Sequence, residues 1–389
     1  MLTTLAISNY RSALELVLPL GPLNVITGAN GSGKSNLYRA LRLLAATAQD
    51  DVIAALASEG GLESTFWAGP ETLSTAMRKG LVPVEGGPRQ HSRRLKLGFA
   101  DEDFGYLIEL GLPRPDSTTA FNLDPEIKRE IIWAGGAYRP AAALVDRRGP
   151  LVKARVDNGW LSLADHLNTF DSLFSQVADA RSAPEVLALR ERIRGWRFYD
   201  HFRTDREAPA RQVQIGTRTP VLHHDGRDLA AALQTIREVG DSMALDAAIE
   251  DAFPGAKLNI EPLADGRLKL EFHQYGLLRP LSAAELSDGT LRYLLLIAAL
   301  LTPRPPSLMV LNEPENSLHP DLLPALARLI EQASQHSQLW VVSHASRLVA
   351  ALNEHPECHG VELTKELGET QIVGQGLLST PNWHWSEHH

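Results

Sequence analysis

Asn24-Val25-Ile26-Thr27-Gly28-Ala29-Asn30-Gly31-Ser32-Gly33-Lys34-Ser35 carries an apolar strand into a glycine-rich turn, and the apolar spacing from about Ser35 to Ala46 predicts a helix directly after it. The turn fits G-x-x-x-x-G-K-[ST] at every fixed position. Each residue type has a physical reason. Gly28, Gly31 and Gly33 let the backbone take positive φ and curl close to an anion. Successive N–H groups then point inward and form a nest for the β- and γ-phosphates of a nucleotide. The helix N-terminus adds partial positive charge behind them. Lys34 reaches the same oxygens, and the Ser35 hydroxyl suits Mg2+. A glycine-rich turn with an incidental lysine would need neither the strand before it nor the helix after it.

The rest of the composition bounds the class. A chain of 389 residues allows one large domain or two modest ones. Net charge is −9, so no global basic field draws it to nucleic acid. The single cysteine, Cys358, forms no intrachain disulfide and fits a reducing compartment. Met1 to Leu5 lack the charged start of a secretory leader. The longest apolar run, Leu294 to Leu301, is too short to span a bilayer. The expectation is a soluble, cytoplasmic protein with no membrane partner.

In chain order, Leu5-Ala6-Ile7, Leu14 to Leu18 and Leu23 to Thr27 read as strands. Residues 50–92 read as loop chemistry around one short helix, with Gly60-Gly61, Trp67-Ala68-Gly69-Pro70 and Gly86-Gly87-Pro88. Leu95 to Phe99 and Tyr106 to Leu110 flank the acidic turn Asp101-Glu102-Asp103 and predict a hairpin. Strands follow at Ile131-Ile132-Trp133 and on both sides of Arg148-Gly149-Pro150. Leu161 to about Arg197 reads as helical. Helices are expected at Ala230–Ile236, Met243–Ala252, Leu291–Leu301, Leu322–Ala333 and Ser346–Leu352. Strands are expected at Leu258–Ile260, Leu268–Phe272, Leu308–Leu311 and Leu339–Val342. No internal repeat or sustained heptad run is present. The tail from Trp383 to His389 includes an expression-tag remnant on this reading, rather than a metal site.

Four further stretches bear on function. Leu286-Ser287-Asp288-Gly289-Thr290 precedes the most apolar helix. Asn312-Glu313-Pro314-Glu315 follows the strand Leu308–Leu311. Asn316-Ser317-Leu318-His319 comes next. Ser343-His344 follows the strand Leu339–Val342. Taken singly they are a helix cap, a solvated strand end and an ordinary histidine. In this order after the phosphate-binding loop, the sequence resembles the ABC-type ATPases. More narrowly it resembles their RecF/SMC-like branch, the bacterial AAA-type ATPases related to the ATPase part of OLD-type proteins. The resemblance covers the whole chain in its order of elements, with its specific motifs in residues 5–40 and 281–346.

That resemblance implies an α/β P-loop NTPase with an ABC-type head. It would have a mixed or parallel central sheet, N-terminal antiparallel strands and an inserted, mostly helical second lobe. The lobes would divide as 1–159, 160–302 and 303–389. Glu313 becomes the carboxylate that polarises the attacking water. His344 becomes the residue that hydrogen-bonds the γ-phosphate or that water. Lys34 completes the catalytic set. Arg11, Gly28, Asn30, Gly31, Ser32, Gly33, Lys34, Ser35 and Asn36 form the expected ATP contacts. Ser287 and Gly289 would meet the γ-phosphate held by a second subunit, in a head-to-tail homodimer with two ATP molecules between the copies. Asn316 to His319 would be the D-loop crossing between the sites. Mg2+ would fall to Ser35, Asn312 and, as the Q-loop residue, Gln176.

One position departs from the family pattern. Asn312 stands where an aspartate usually holds Mg2+, so the amide brings no charge. The expected effect is a net loss of about 1–2 kcal/mol in metal binding and slow turnover. Spacing separates the subfamilies. Ser35 and Ser287 lie 252 positions apart, too far for a transporter ATP-binding subunit, and only 45 residues follow His344, too few for the nuclease domain of OLD-type proteins. An arginine-aromatic segment, Arg190 to Arg211, offers phosphates and stacking surfaces to nucleic acid. With Glu191, Asp200, Asp205 and Glu207 in the same stretch, it reads better as a solvated helix face over an aromatic core. His355-Pro356-Glu357-Cys358-His359 reads as a structural loop for want of a second ligand pair. The functional expectation is an ATPase whose ATP-driven dimerisation acts as a switch in DNA maintenance, repair or anti-phage defence. DNA and an effector protein encoded nearby would be its further partners. The alternative is a nucleotide-gated scaffold that hydrolyses little.

Overall fold

Alternating apolar residues make the first strands, as the sequence predicts. β1 (Leu2–Tyr10) and β2 (Ala13–Pro19) pair antiparallel around the turn at Arg11. β3 (Leu23–Gly28) ends where the glycine-rich turn begins. α1 (Lys34–Thr47) follows it and buries Leu37, Tyr38, Leu41, Leu43 and Leu44. The computed structural model describes residues 1–49, 51–85, 92–157, 159–376 and 379–385. The Gly86-Gly87-Pro88 loop and the tail residues Ser386 to His389 lie outside the described residues. Two compact units emerge: Met1–Gly21, Gly28–Trp196 and Val361–His389 form the first, and Pro22–Thr27 with Arg197–Gly360 form the second.

Between α1 and the next strand there are three short helices rather than one, α2 (Val52–Ser58), α3 (Leu62–Thr65) and α4 (Thr75–Arg78). β4 (Leu95–Asp101) and β5 (Phe104–Gly111) form the expected hairpin. Asp101 Oδ1 accepts from the backbone N–H of Asp103 at 2.8 Å and of Phe104 at 2.7 Å, which sets the turn. β6 (Glu126–Ala134), β7 (Ala143–Arg148), β8 (Leu151–Val156) and β9 (Gly159–Ala164) extend the sheet. Its order is β2-β1-β4-β5-β6-β7-β8-β9, antiparallel throughout.

The helical reading of 161–197 is corrected here. Leu161 and Leu163 sit at period two in β9, paired with β8. Only α5 (Leu173–Gln176) and α6 (Pro184–Arg194) are helical. Pro184 lies in the first turn of α6, where its missing N–H is tolerated, and it could not stand inside a longer helix.

The first unit is also organised by a buried charge cluster that sequence periodicity does not reveal. Arg147 and Glu130 are both fully buried and pair at 2.6 Å. Glu130 also accepts from the Tyr106 and Ser172 hydroxyls, each at 2.7 Å, and from the Leu173 N–H at 2.8 Å. Arg147 donates to the backbone oxygens of Asn168, Gly149 and Asp171. Such a pair persists without water only because every donor and acceptor is satisfied.

The second unit is built on a parallel sheet. β10 (Arg197–Tyr199) is followed by β11 (Gln214–Ile215), α7 (Leu229–Val239), α8 (Ser242–Ala252), β12 (Lys257–Pro262), β13 (Arg267–His273) and β14 (Leu281–Ser282). Then come α9 (Asp288–Leu300), β15 (Leu308–Asn312), α10 (Leu323–Ser334), β16 (Gln338–Val342) and α11 (Ser346–Asn353). The parallel strands run in the order β10-β15-β16-β3. β15 and β16 are near-continuous apolar runs, as strands buried on both faces must be. α9 is apolar almost all round and buried from Thr290 to Leu300. β11, β12 and β14 each pair with β13 in a small antiparallel sheet, so the 160–302 segment carries strands beside its helices. β17 (Cys358–Glu366) and β18 (Glu369–Ile372) close as a hairpin.

The fold is therefore mixed α/β, with an antiparallel sheet begun at the N-terminus and a parallel sheet at whose edge the strands end in polar residues. Among the described residues, no helix is long and apolar enough to cross a membrane.

Candidate functional site

The glycine-rich turn is shaped by contacts within the first unit. Gly28, Gly31 and Gly33 have φ of 142°, 81° and 110°, which side-chain-bearing residues avoid. A Cβ on Gly28 would stand 2.4 Å from the Leu363 carbonyl oxygen, and one on Gly33 would stand 2.1 Å from Thr370 Oγ1. Gly31 has open space around it, so its φ alone demands glycine. Thr370 pins the turn. Its Oγ1 donates to the Ser32 carbonyl at 2.8 Å and shares a 2.7 Å bond with Ser12 Oγ, which accepts from Asn36 Nδ2 at 2.7 Å. Lys34 Nζ donates to the carbonyls of Gly28 at 2.6 Å and Ala29 at 3.0 Å, spanning the turn. Ser32 Oγ is buried and has no hydrogen-bond partner among the described residues. No acidic residue stands in the first turn of α1, so the positive end of the helix is uncompensated. Asn30, Gly31 and Ser35 are exposed at its mouth. A cradle that excludes side chains, an orphan hydroxyl and a lysine together fit a nucleotide's phosphates.

The second unit gathers its polar groups where the parallel strands end. Glu313 follows β15 directly, and its N–H donates to the Val342 carbonyl of β16 at 2.8 Å. Its φ of 48° is uncommon for a non-glycine residue, so neighbours must hold it. His344 Nε2 lies 2.7 Å from Glu313 Oε1, and Asn316 Nδ2 donates to Oε2 at 2.8 Å. Both members of the Glu313–His344 pair keep about a third of their side chains in solvent, 34% and 39%. Glu315 holds the neighbouring strand end. Its Oε1 accepts from Ser343 Oγ at 2.7 Å, the His344 N–H at 2.8 Å and the Ala345 N–H at 3.1 Å. A carboxylate fixed on one histidine and one amide, and still open to water, has the makings of a general base.

A family model described as "AAA domain, putative AbiEii toxin, Type IV TA system" matches residues 23–350, well over half of the 389. The chain belongs to this family. The resemblance to AAA-type P-loop ATPases is thus borne out, and the family is one of nucleotide-binding proteins. Among solved structures, this AAA-type chain is similar to an SMC head bound to the C-terminal winged-helix domain of ScpA. The two share 15% identity over 97% of this chain and 98% of that one, at a TM-score of 0.49. It is also similar to the SMC head domain from Thermotoga maritima, with 16% identity, 97% and 99% coverage and a TM-score of 0.47. A third is an SMC head with an extended coiled coil bound to the C-terminal domain of ScpA from Pyrococcus furiosus, at 13%, 96%, 95% and 0.46. No protein of curated function matches.

In this AAA-type chain the other expected residues lie as follows. Ser287 caps α9, its Oγ accepting from the Thr290 N–H at 3.1 Å. Gly289 packs so closely that an added Cβ would lie 2.9 Å from the Ser317 carbonyl, tying α9 to the Asn316–His319 loop. Arg11 is half-buried and pairs with Glu59 at 2.7 Å, beside the Tyr10 hydroxyl. Gln176 is exposed at the last residue of α5. Asn312 Nδ2 donates to Asp200 Oδ1 at 3.1 Å.

In the arginine-aromatic segment, several arginines are engaged by carboxylates or backbone carbonyls, while Arg194, Arg203 and Arg206 stay exposed. Arg192 pairs with the buried Asp101, and Arg194 Nε donates to the Ala48 carbonyl at 2.8 Å. Arg203 pairs with Asp205 at 2.8 Å. Arg211 is buried and donates to the Leu286 carbonyl and Asp288 Oδ1, both at 2.7 Å, holding the turn that presents Ser287. Trp196, Tyr199 and Phe202 are buried. The alternation of arginine with Asp and Glu was the signal for this.

Two residues at these strand ends escape sequence reasoning. Arg292 is almost wholly buried on α9, and its Nη2 donates to the Glu313 carbonyl at 3.3 Å. Burial lowers its pKa, and the charges of Glu315 and Glu313 oppose that. A lone arginine in an apolar helix was the available clue. The other is Asp200, which no motif marks. His223, His224 and Asp225 are the one trio of metal-capable groups among the described residues. The Arg227 guanidinium meets both ring nitrogens of His223, so that ring is already engaged. The stretch His355 to His359 gathers no such trio.

Proposed function

We propose that this chain binds ATP with Mg2+ and hydrolyses it, and that ATP-loaded copies pair head to tail as a switch acting on another macromolecule. The observation that carries the reading is the Glu313–His344 pair, 2.7 Å apart at the ends of adjacent parallel strands, in a chain that also has the side-chain-excluding phosphate loop. Gly28, Gly31, Ser32 and Gly33 cradle the β- and γ-phosphates through backbone N–H groups, with Asn30 and Asn36 at the rim. Lys34 neutralises their charge. Glu313 takes the proton of the attacking water, and His344 orients that carboxylate. Ser35, Asn312 and Gln176 are the oxygen donors proposed toward Mg2+, a donor chemistry suited to that ion. When bound, the ion would offset charge on the β- and γ-oxygens.

Ser287 and Gly289, at the Ser287-capped start of α9, are the groups that would meet the γ-phosphate of a second copy. Arg211 holds that turn in place. The lobes of this machine are 1–159, 160–302 and 303–389, with 160–302 ending in the signature helix. The setting we favour is the cytoplasm, in DNA maintenance or defence, with DNA or a protein encoded nearby as the target. The family's description as a toxin of a type IV toxin–antitoxin system supports an output on another macromolecule. A scaffold that hydrolyses little is the second reading, favoured by the amide at Asn312. Phosphate release and sedimentation test both. Wild type should turn over ATP and Lys34→Ala should bind little of it. Glu313→Gln with ATP should sediment as a dimer that Ser287→Arg returns to monomer. ATP-loaded Glu313→Gln that stays monomeric at tens of micromolar, roughly −6 to −7 kcal/mol of association, overturns the switch.

A further inference from the structure

The amide of Asn312 is not simply a weakened aspartate. β10 runs parallel to β15 with Tyr199 opposite Leu311, so the next residue, Asp200, arrives beside Asn312. The Asn312 Nδ2 donates to Asp200 Oδ1 at 3.1 Å. A carboxylate only accepts, so this bond decides which end of the amide faces it. The nitrogen is committed to Asp200, and the amide oxygen is turned away from it. Both side chains are partly buried, so the bond is not a loose surface contact.

We infer that Asp200 carries the negative charge that Asn312 lacks, so that the two residues together do the work of one strand-end aspartate toward Mg2+. The oxygen comes from β15 and the charge from β10. The inference rests on the Mg2+-dependent nucleotide binding proposed above, and it concerns the second unit's own residues. The charge balance at this edge explains the exchange. Glu313 and Glu315 already stand next to Asn312, with the buried Arg292 as the cation facing them. An aspartate at 312 would put a further carboxylate within about 3 Å of Asp200, where like charges cannot both stay ionised without cost. The amide removes that conflict and orients itself on Asp200 by hydrogen bonding. It follows that Asn312 is no reason to expect idle hydrolysis, which weakens the scaffold reading.

The test is a charge swap read by binding. Fluorescent ATP-analogue binding is titrated with Mg2+ for wild type, Asp200→Asn, Asn312→Asp and the double variant Asp200→Asn/Asn312→Asp, with melting of the nucleotide-free proteins alongside. Asp200→Asn should raise the half-saturating Mg2+ about tenfold, equivalent to about 1.4 kcal/mol. Asn312→Asp should give no gain and should melt lower. The double variant should return toward wild type in both readouts, which a merely structural Asp200 would not produce. Unchanged Mg2+ dependence in Asp200→Asn overturns the inference. So does a tighter Mg2+ dependence in Asn312→Asp alone, because then position 312 acts without its neighbour. A wild type that binds no nucleotide at any Mg2+ concentration is a different result and overturns the function itself.

Discussion

Replacing Glu313 by glutamine should separate the proposed base catalysis from architecture, and its hydrogen bonds set how large the structural effect should be. The carboxylate accepts from His344 Nε2 at 2.7 Å and from Asn316 Nδ2 at 2.8 Å. Glutamine keeps the shape but has one oxygen. Turned toward Asn316, that oxygen keeps one bond, and the amide nitrogen can donate to His344 in its Nδ1-protonated tautomer. Two charge-assisted bonds become two ordinary ones on side chains about one-third exposed, so the stability loss should stay within about 1 kcal/mol. The chemical loss is of another order. Removing a general base typically costs 10²- to 10⁴-fold, about 2.7–5.5 kcal/mol on the barrier. The assay is phosphate release under saturating ATP, with fluorescent nucleotide binding and thermal melting as controls. Turnover should fall at least a hundredfold while binding and melting hold. If Glu313→Gln turns over within about threefold of wild type, Glu313 is not the base.

Gly33→Ala should abolish nucleotide binding in a protein that still folds, because its Cβ would stand 2.1 Å from Thr370 Oγ1 at a φ of 110°. Calorimetry of ATP binding checks it, and Thr370→Ala in the same chain should not rescue it fully, since the φ penalty remains. Glu130→Gln leaves Arg147 buried without its countercharge, so stability should drop by about 3–5 kcal/mol in urea unfolding. Arg192→Glu sets a second carboxylate against the buried Asp101 and should cost about 3 kcal/mol or more. Loss of DNA binding by that variant with unchanged stability would restore the segment as a nucleic-acid face.

The phosphate loop and the strand order around it were legible because their demands are local. Positive φ needs glycine, a buried parallel strand needs an unbroken apolar run, and a hairpin needs its turn acids. Helix, strand, helix and strand from Leu291 to Val342 follow from the same rules. What the sequence hid was decided by distant partners. Leu161 and Leu163 look helical until β8 offers them an edge. The arginines from Arg190 to Arg211 look like a binding face until Asp101, Ala48 and Asp288 claim them. The partnership of Asp200 with Asn312 depends on strand register across 112 positions, which no window on the sequence contains. The Glu130–Arg147 cluster likewise draws on Tyr106 and Ser172, far apart along the chain.

β3 is a six-residue strand that reaches its parallel neighbour, β16, only at Leu339 to Val342. The turn after it is shaped by Leu363 and Thr370. During synthesis the ribosome makes Gly28 335 positions before Leu363 and Gly33 337 positions before Thr370. A nascent chain therefore holds that turn without its frame until Leu363 and Thr370 are made, so a ligand of the turn cannot act as an early folding ligand. Pairings of such long range are slow to form. The exposed apolar strands Leu23–Ile26, Leu308–Leu311 and Leu339–Val342 must meanwhile be kept from other chains. The turn therefore takes its final shape only after the β17–β18 hairpin has been made.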